Sequence, residues 1–239
     1  TSLMEFDYWW VLAALPIFFA VGWVAARIDI KQLMHESRAL PRSYFEGLNF
    51  LLNEKQDKAI ESFIEAARVD PETVEIHFAL GSLFRRRGEV DRAIQVHQSL
   101  IERDGLREDQ RLHALAELGQ DFLKAGLLDR AESVFLKLRG TKLEDDALNF
   151  LLEIFQQEKE WVKAIDIAKA MPAHAGHLWQ KEIAQFRCEL AAVEILNDRL
   201  AEANSLLEMA LADNRKCVRA TILLGDVAAR VGAGKTTAL

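Results

Sequence analysis

The sequence predicts an all-α protein: one membrane-spanning helix near the N-terminus, then a right-handed superhelix of paired helices. Three observations carry this. A pattern recurs with a 34-residue step, with Gly47 returning as Gly81, Phe50 as Phe84 and Ala59 as Ala93. From Tyr8 to Ala26 no residue is charged. The whole chain of 239 residues holds only four prolines, although half its residues are hydrophobic, which suits long helices.

The 34-residue period is that of the tetratricopeptide repeat (TPR), a helix–turn–helix unit that stacks on its neighbours because it cannot bury its apolar faces alone. In each unit a small residue on helix A lets helix B approach, and an alanine on helix B does the same from the other side. Phe50, Phe63 and Phe84 fill the space between them. Asp70-Pro71 ends the first unit, because proline disfavours a helical conformation in the residue before it.

Taken in order, residues 1–3 read as a cloning remnant before Met4, and 4–7 as a short periplasmic N-terminus. Residues 8–28 form the predicted transmembrane helix, roughly 30 Å long and so matched to a bilayer core. Trp9, Trp10 and Trp23 mark its interfacial ends, Pro16 kinks it, and Arg27 closes it. Glu5 and Asp7 precede the span, whereas Arg27, Lys31, Arg38 and Arg42 follow it. The positive-inside rule therefore keeps the repeats in the cytoplasm. A cleaved signal peptide would need a basic leader, and this leader is acidic. Residues 29–42 are a short charged linker.

The solenoid is expected over 43–230, as about five repeats and part of a sixth. Repeat three carries Gly119, Phe122, Ala131 and Phe135, 38 residues beyond repeat two, with the four extra residues expected in the polar loop 103–111. Repeat four replaces the glycine by Leu152 and keeps Phe155 and Ala164. Repeat five has Ala191, Ala203 and Ala210, and a sixth helix A has Gly225. Residues 231–239 read as a tail. Its GAGKTT resembles a phosphate-binding loop, but Ala229 stands where that motif needs its first glycine, and no strand precedes it.

No catalytic set emerges. A net charge of −7 argues against a general nucleic-acid surface. Cys188 and Cys217 lie far apart without a CxxC pair and suggest buried, inert thiols. His174 and His177 lack further ligands nearby in sequence and read as a surface loop. The remaining resource is the concave face lined by A helices. Counting by turns from the small residues gives Glu75, Phe78, Ser82 and Arg85 in repeat two, and His113 and Gln120 in repeat three. In repeat four it gives Asn149, Glu153 and Gln156. This polar surface suits another polypeptide. Within Arg85-Arg86-Arg87, pairing with acidic groups of a partner and complementing the helix dipole are both open.

The segments RALPRSYFEGLNFLLNEKQDKAIESFIEAARVD and HFALGSLFRRRGEVDRAIQVHQSLI, after an N-terminal span, resemble the lipopolysaccharide assembly protein B family (LapB, or YciM) of Gram-negative bacteria. The likeness covers about Met4 to Arg230. It implies a single-pass inner-membrane protein whose cytoplasmic repeats act as an adaptor. The partners it implies are the FtsH protease and LpxC, the deacetylase of lipid A synthesis whose degradation the adaptor promotes, and a PbgA/YejM-like inner-membrane regulator. Family members end in a rubredoxin-like domain holding a metal through four cysteines. This sequence has two cysteines, so no cofactor residue carries over. Another membrane-bound TPR co-chaperone or an envelope assembly scaffold is the alternative.

Overall fold

The computed structural model describes residues 40–172 and 179–236, with side chains through Gly232. The expected transmembrane helix with Trp9, Trp10, Pro16, Trp23 and Arg27 lies outside the described residues, as do His174 and His177. Among the described residues no helix is long and apolar enough to cross a membrane.

Those residues form helices and no strand. Five helix pairs follow one another: α1 (Arg42–Leu52) with α2 (Gln56–Val69), α3 (Val74–Arg87) with α4 (Val90–Ile101), α5 (Glu108–Lys124) with α6 (Leu128–Lys137), α7 (Glu144–Gln157) with α8 (Trp161–Ala170), and α9 (Gln180–Leu196) with α10 (Leu200–Asp213). A further helix A, α11, spans Val218–Thr236. Each helix packs on its neighbour in the chain, α8 and α9 included; α3 also meets α5, and α9 meets α11. This gives a stack of A helices on one side and B helices on the other.

One volume rule holds the pairs together. Sixteen residues beyond each small A-helix position stands a buried residue on helix B. Gly47 faces Phe63, Gly81 faces His97, and Gly119 faces Phe135; a Cβ on the three glycines would come within 3.0, 2.4 and 2.7 Å of those rings. In repeat four the sizes are exchanged, Leu152 against Ala168. In repeat five they are Ala191 and Leu207, all four buried. The helix-B alanines Ala59, Ala93, Ala131, Ala164 and Ala203 are wholly buried. A single missing or added methylene would be felt in such packing.

A second device recurs at the A–B turns. The cation that opens helix B lies over the phenylalanine near the end of helix A: Arg92 over Phe84 at 3.9 Å, Arg130 over Phe122 at 4.2 Å, Lys163 over Phe155 at 5.0 Å and Lys58 over Phe50 at 5.8 Å. The stem shields the ring while the charge stays in water.

Three expectations change. The insertion before repeat three is not loop: α5 begins at Glu108 and is 17 residues long against 14 for α3, so the extra residues form an additional N-terminal turn. The helix starts early because Gln110 Oε1 accepts the Arg107 amide, and Glu108 and Asp109 lie in its first turn. At the other end α11 runs to Thr236, past residue 230. No proline interrupts it, and a backbone wound into helix has no amides free to cradle a phosphate. Finally, Cys188 and Cys217, distant in sequence, are neighbours in space with sulfurs 3.8 Å apart.

Candidate functional site

The site grows from the end of α3. Arg85 does not project freely into the groove. Its Nη1 donates to Asp121 Oδ1 at 2.7 Å and to the Glu117 carbonyl at 3.2 Å, and its Nη2 donates to Glu117 Oε2 at 2.7 Å. Ser82 Oγ donates to the same Glu117 oxygen at 3.2 Å. Asp121, wholly buried, reaches onward with Oδ2 to His97 Nδ1 at 2.5 Å. His97 is itself buried in the slot that Phe63 and Phe135 fill in other repeats. Five side chains from α3, α4 and α5 thus form one polar chain through the junction of repeats two and three. A carboxylate without partners would be costly here, and Asp121 has two.

Burial alone would push the Glu117 carboxyl up. The hydrogen-bonded Arg85 guanidinium outweighs it and holds the group below the usual carboxylate range.

Arg85, held from behind by its two carboxylates, lines one wall of a cleft of about 390 Å³ between α3, α5 and α7. Arg86, Gln120, Leu123, Lys124, Phe150, Glu153 and Gln157 complete it. Phe150 is fixed by stacking on Phe135, with ring centroids 4.7 Å apart. Glu153 accepts a hydrogen bond from Gln157 Nε2 at 3.2 Å. Arg86 and Lys124 have no ion-pair partner among the described residues. In a chain of net charge −7 this cleft therefore offers two free cations against one carboxylate, beside an apolar floor of Leu123 and Phe150.

The residues singled out from sequence divide accordingly. Arg86, Gln120 and Glu153 converge on the cleft. Arg85 lines the cleft while bound to Glu117 and Asp121, and Ser82 donates to Glu117. Phe78 meets the ring of His113 edge-on at 4.6 Å, one repeat further along, near the exposed Glu75. Asn149 donates to its own helix at the Asp145 carbonyl, 2.9 Å away, and Gln156 is exposed but outside the cleft. Lys124 and Gln157, each four residues after a chosen position, were missed, as was the apolar floor. A count by helical turns from Gln120 and Glu153 reaches both polar residues. Of the arginine run, Arg87 pairs with Asp57 at 2.5 Å and Glu89 at 2.9 Å, leaving Arg86 as the arginine available to a partner.

Among the described residues no cluster of three or more His, Cys, Asp or Glu could hold a metal ion. The two buried cysteines do not supply a four-thiolate set.

The family model described as tetratricopeptide repeat matches residues 46–106. The chain is 43% identical over 215 residues to lipopolysaccharide assembly protein B of Escherichia coli strain K12, covering 89% of this chain and 55% of that protein. The protein of the same name from Haemophilus influenzae is 36% identical over 224 residues, covering 90% and 56%. The chain thus spans about half the length of the curated relatives it matches. Among solved structures, the C-terminal part of a TPR repeat-containing protein from Cytophaga hutchinsonii superposes with a TM-score of 0.54 at 17% identity, covering 88% of this chain and 84% of that one. Naa15/Naa10 bound to HypK gives the same score at 17% identity, covering 77% and 28%. These two likenesses establish the fold, a TPR superhelix.

Proposed function

We propose that this chain, a tetratricopeptide-repeat relative of lipopolysaccharide assembly protein B, is a non-catalytic scaffold in lipopolysaccharide assembly. It grips another polypeptide in its A-helix groove. The observation that supports this reading best is the cleft beside Arg85, where unpaired Arg86 and Lys124 flank Leu123 and Phe150. An extended segment with an acidic residue next to a bulky apolar one fits both features.

The finer reading is an adaptor at the bacterial inner membrane. Residues 8–28 anchor the chain with its N-terminus in the periplasm, and the repeats face the cytoplasm. The groove or its edges hold LpxC or FtsH, and the anchor gives a PbgA/YejM-like regulator its contact. Confinement to the plane of a membrane protease raises effective concentration, so modest groove affinity is enough.

The test uses the full-length protein carrying R86E and K124E in cells depleted of the native copy. Each reversal removes an attraction and adds a repulsion, together about a tenfold loss of affinity at a partly exposed site. The expected result is a lengthened LpxC half-life and weakened binding of purified LpxC. Normal turnover with normal binding refutes the groove assignment. A half-life that does not respond even to depletion refutes the adaptor reading as a whole.

A further inference from the structure

Cys188 and Cys217 belong to different repeats, yet their sulfurs lie 3.8 Å apart. Cys188 is midway along α9 and 0% exposed; Cys217 is the residue before α11 and 2% exposed. They meet where α9 packs on α11, among Ala184, Ala191 and Ala220. The groove does not use them.

The two sulfurs have different surroundings. Burial, together with the neighbouring Cys217 sulfur, pushes the Cys188 thiol up to about 12. Cys217 stands at the amino end of α11, its carbonyl accepting the Thr221 amide at 3.3 Å. The Gln185 side-chain amide is 3.6 Å from its sulfur. Cys217 thus has a polar donor beside its sulfur, whereas Cys188 sits among alanines. The sulfurs stand at van der Waals contact, 3.8 Å, and a disulfide needs them at about 2 Å, so a short closure suffices.

We propose that Cys188 and Cys217 form a reversible dithiol–disulfide pair, oxidised by peroxide, that staples α9 to the start of α11. Cys217 sulfur attacks the peroxide oxygen, breaking the O–O bond to give a sulfenic acid and one water. Cys188 sulfur then attacks the sulfenic sulfur, breaking the S–O bond and releasing a second water. Two electrons and two protons pass from the thiols to hydrogen peroxide, and a thiol reductant returns them. The bond closes a loop containing α10 and fixes repeat five against the next helix A. It lies away from the cleft on α3, α5 and α7, so it stands or falls independently of the adaptor role.

The test treats the purified chain with hydrogen peroxide, quenches, denatures and counts free thiols. Expected are loss of both thiols in a monomer, a Cys188–Cys217 peptide in the digest, and a raised unfolding midpoint that dithiothreitol reverses. C188S leaves Cys217 as a sulfenic acid captured by dimedone, whereas C217S leaves Cys188 unmodified. Circular dichroism of untreated variants checks their fold, and the wild-type peptide map needs no variant. Retention of both thiols under excess peroxide in the folded chain overturns the proposal. So does a product containing only sulfonic acids or disulfide-linked dimers.

Discussion

The turn between helices A and B invites a paired test. Seven residues beyond each small A-helix position the backbone is left-handed: φ is 59° at Glu54, 84° at Gly88, 73° at Gly126, 59° at Lys159 and 58° at Asp198. Two repeats meet this demand with glycine and three do not. A residue with a Cβ gives up roughly 1–2 kcal/mol there. Glycine in turn gives up about 0.4–1 kcal/mol through its freedom in the unfolded chain. Lys159→Gly should therefore stabilise by about 0.5–1 kcal/mol. Lys159 is exposed and makes no ion pair among the described residues, so little opposes the gain. Gly88→Ala should cost about the same, and purely through the backbone, because an added Cβ meets nothing within 4 Å. Asp198→Gly should gain less, since aspartate tolerates this conformation better. Urea unfolding reads the changes as midpoint shifts of opposite sign, about 0.2–0.5 M each for a urea dependence of 2–3 kcal/mol/M. If K159G destabilises while G88A costs nothing, the left-handed turn does not limit stability and the reasoning fails.

The buried polar network and two helical glycines give four further tests. Asp121→Ala strips both Arg85 and His97 of a partner and should cost about 3–5 kcal/mol in denaturant unfolding. His97→Phe leaves Asp121 its 2.7 Å bond to Arg85 and restores the ring that packs on glycine in repeats one and three, so it should cost less, about 1–3 kcal/mol; the reverse order would show that the network does not centre on Asp121. Because Glu117 is held below its unfolded value, its pairing contributes fully above that value and is lost as pH falls through the folded one. Unfolding midpoints measured below about pH 4.5 should fall less steeply in Arg85→Gln than in the parent, and parallel acid limbs would contradict the pairing. Gly119→Ala should destabilise by about 1–3 kcal/mol, its Cβ falling 2.7 Å from Phe135 Cζ. Gly225→Ala, with open space and better helix propensity, should stabilise by about 0.8–1 kcal/mol in the same melts.

The fold was legible because spacing survives changes of residue type. Gly47, Gly81 and Gly119 named the helix A positions directly, and Ala164 located Leu152 as their equivalent although a leucine breaks the glycine pattern. The structure supplies the reason that a leucine works there: Ala168 faces it where other repeats place a ring, so what repeats is the summed volume of a pair and not either residue. A sequence scan that scores positions singly cannot see such an exchange. The same blindness hid the polar network. His97 occupies a phenylalanine position, and Asp121 sits two residues after a signature glycine, where it reads as an ordinary solvated acid. Only their meeting, with Arg85 arriving from the neighbouring repeat, turns three scattered polar side chains into one connected chain.

That chain bears on how the groove works. Had Arg85 been free, the cleft would present three adjacent cations on flexible stems and favour any acidic surface. Glu117 and Asp121 neutralise Arg85 and bind it to α5, which leaves charge at the rim on Arg86 and Lys124, and aromatic surface beneath on Phe150. If the cleft binds a polypeptide as proposed, selectivity demands an acidic group and an apolar one at a fixed separation, because the wall between them cannot move without breaking bonds at 2.7 Å on either side of Arg85. Removing Arg85 should therefore loosen discrimination among acidic peptides more than it lowers affinity for any one of them. Removing Arg86 should lower affinity across the whole set, and the comparison of the two variants against one peptide panel distinguishes a wall from a contact.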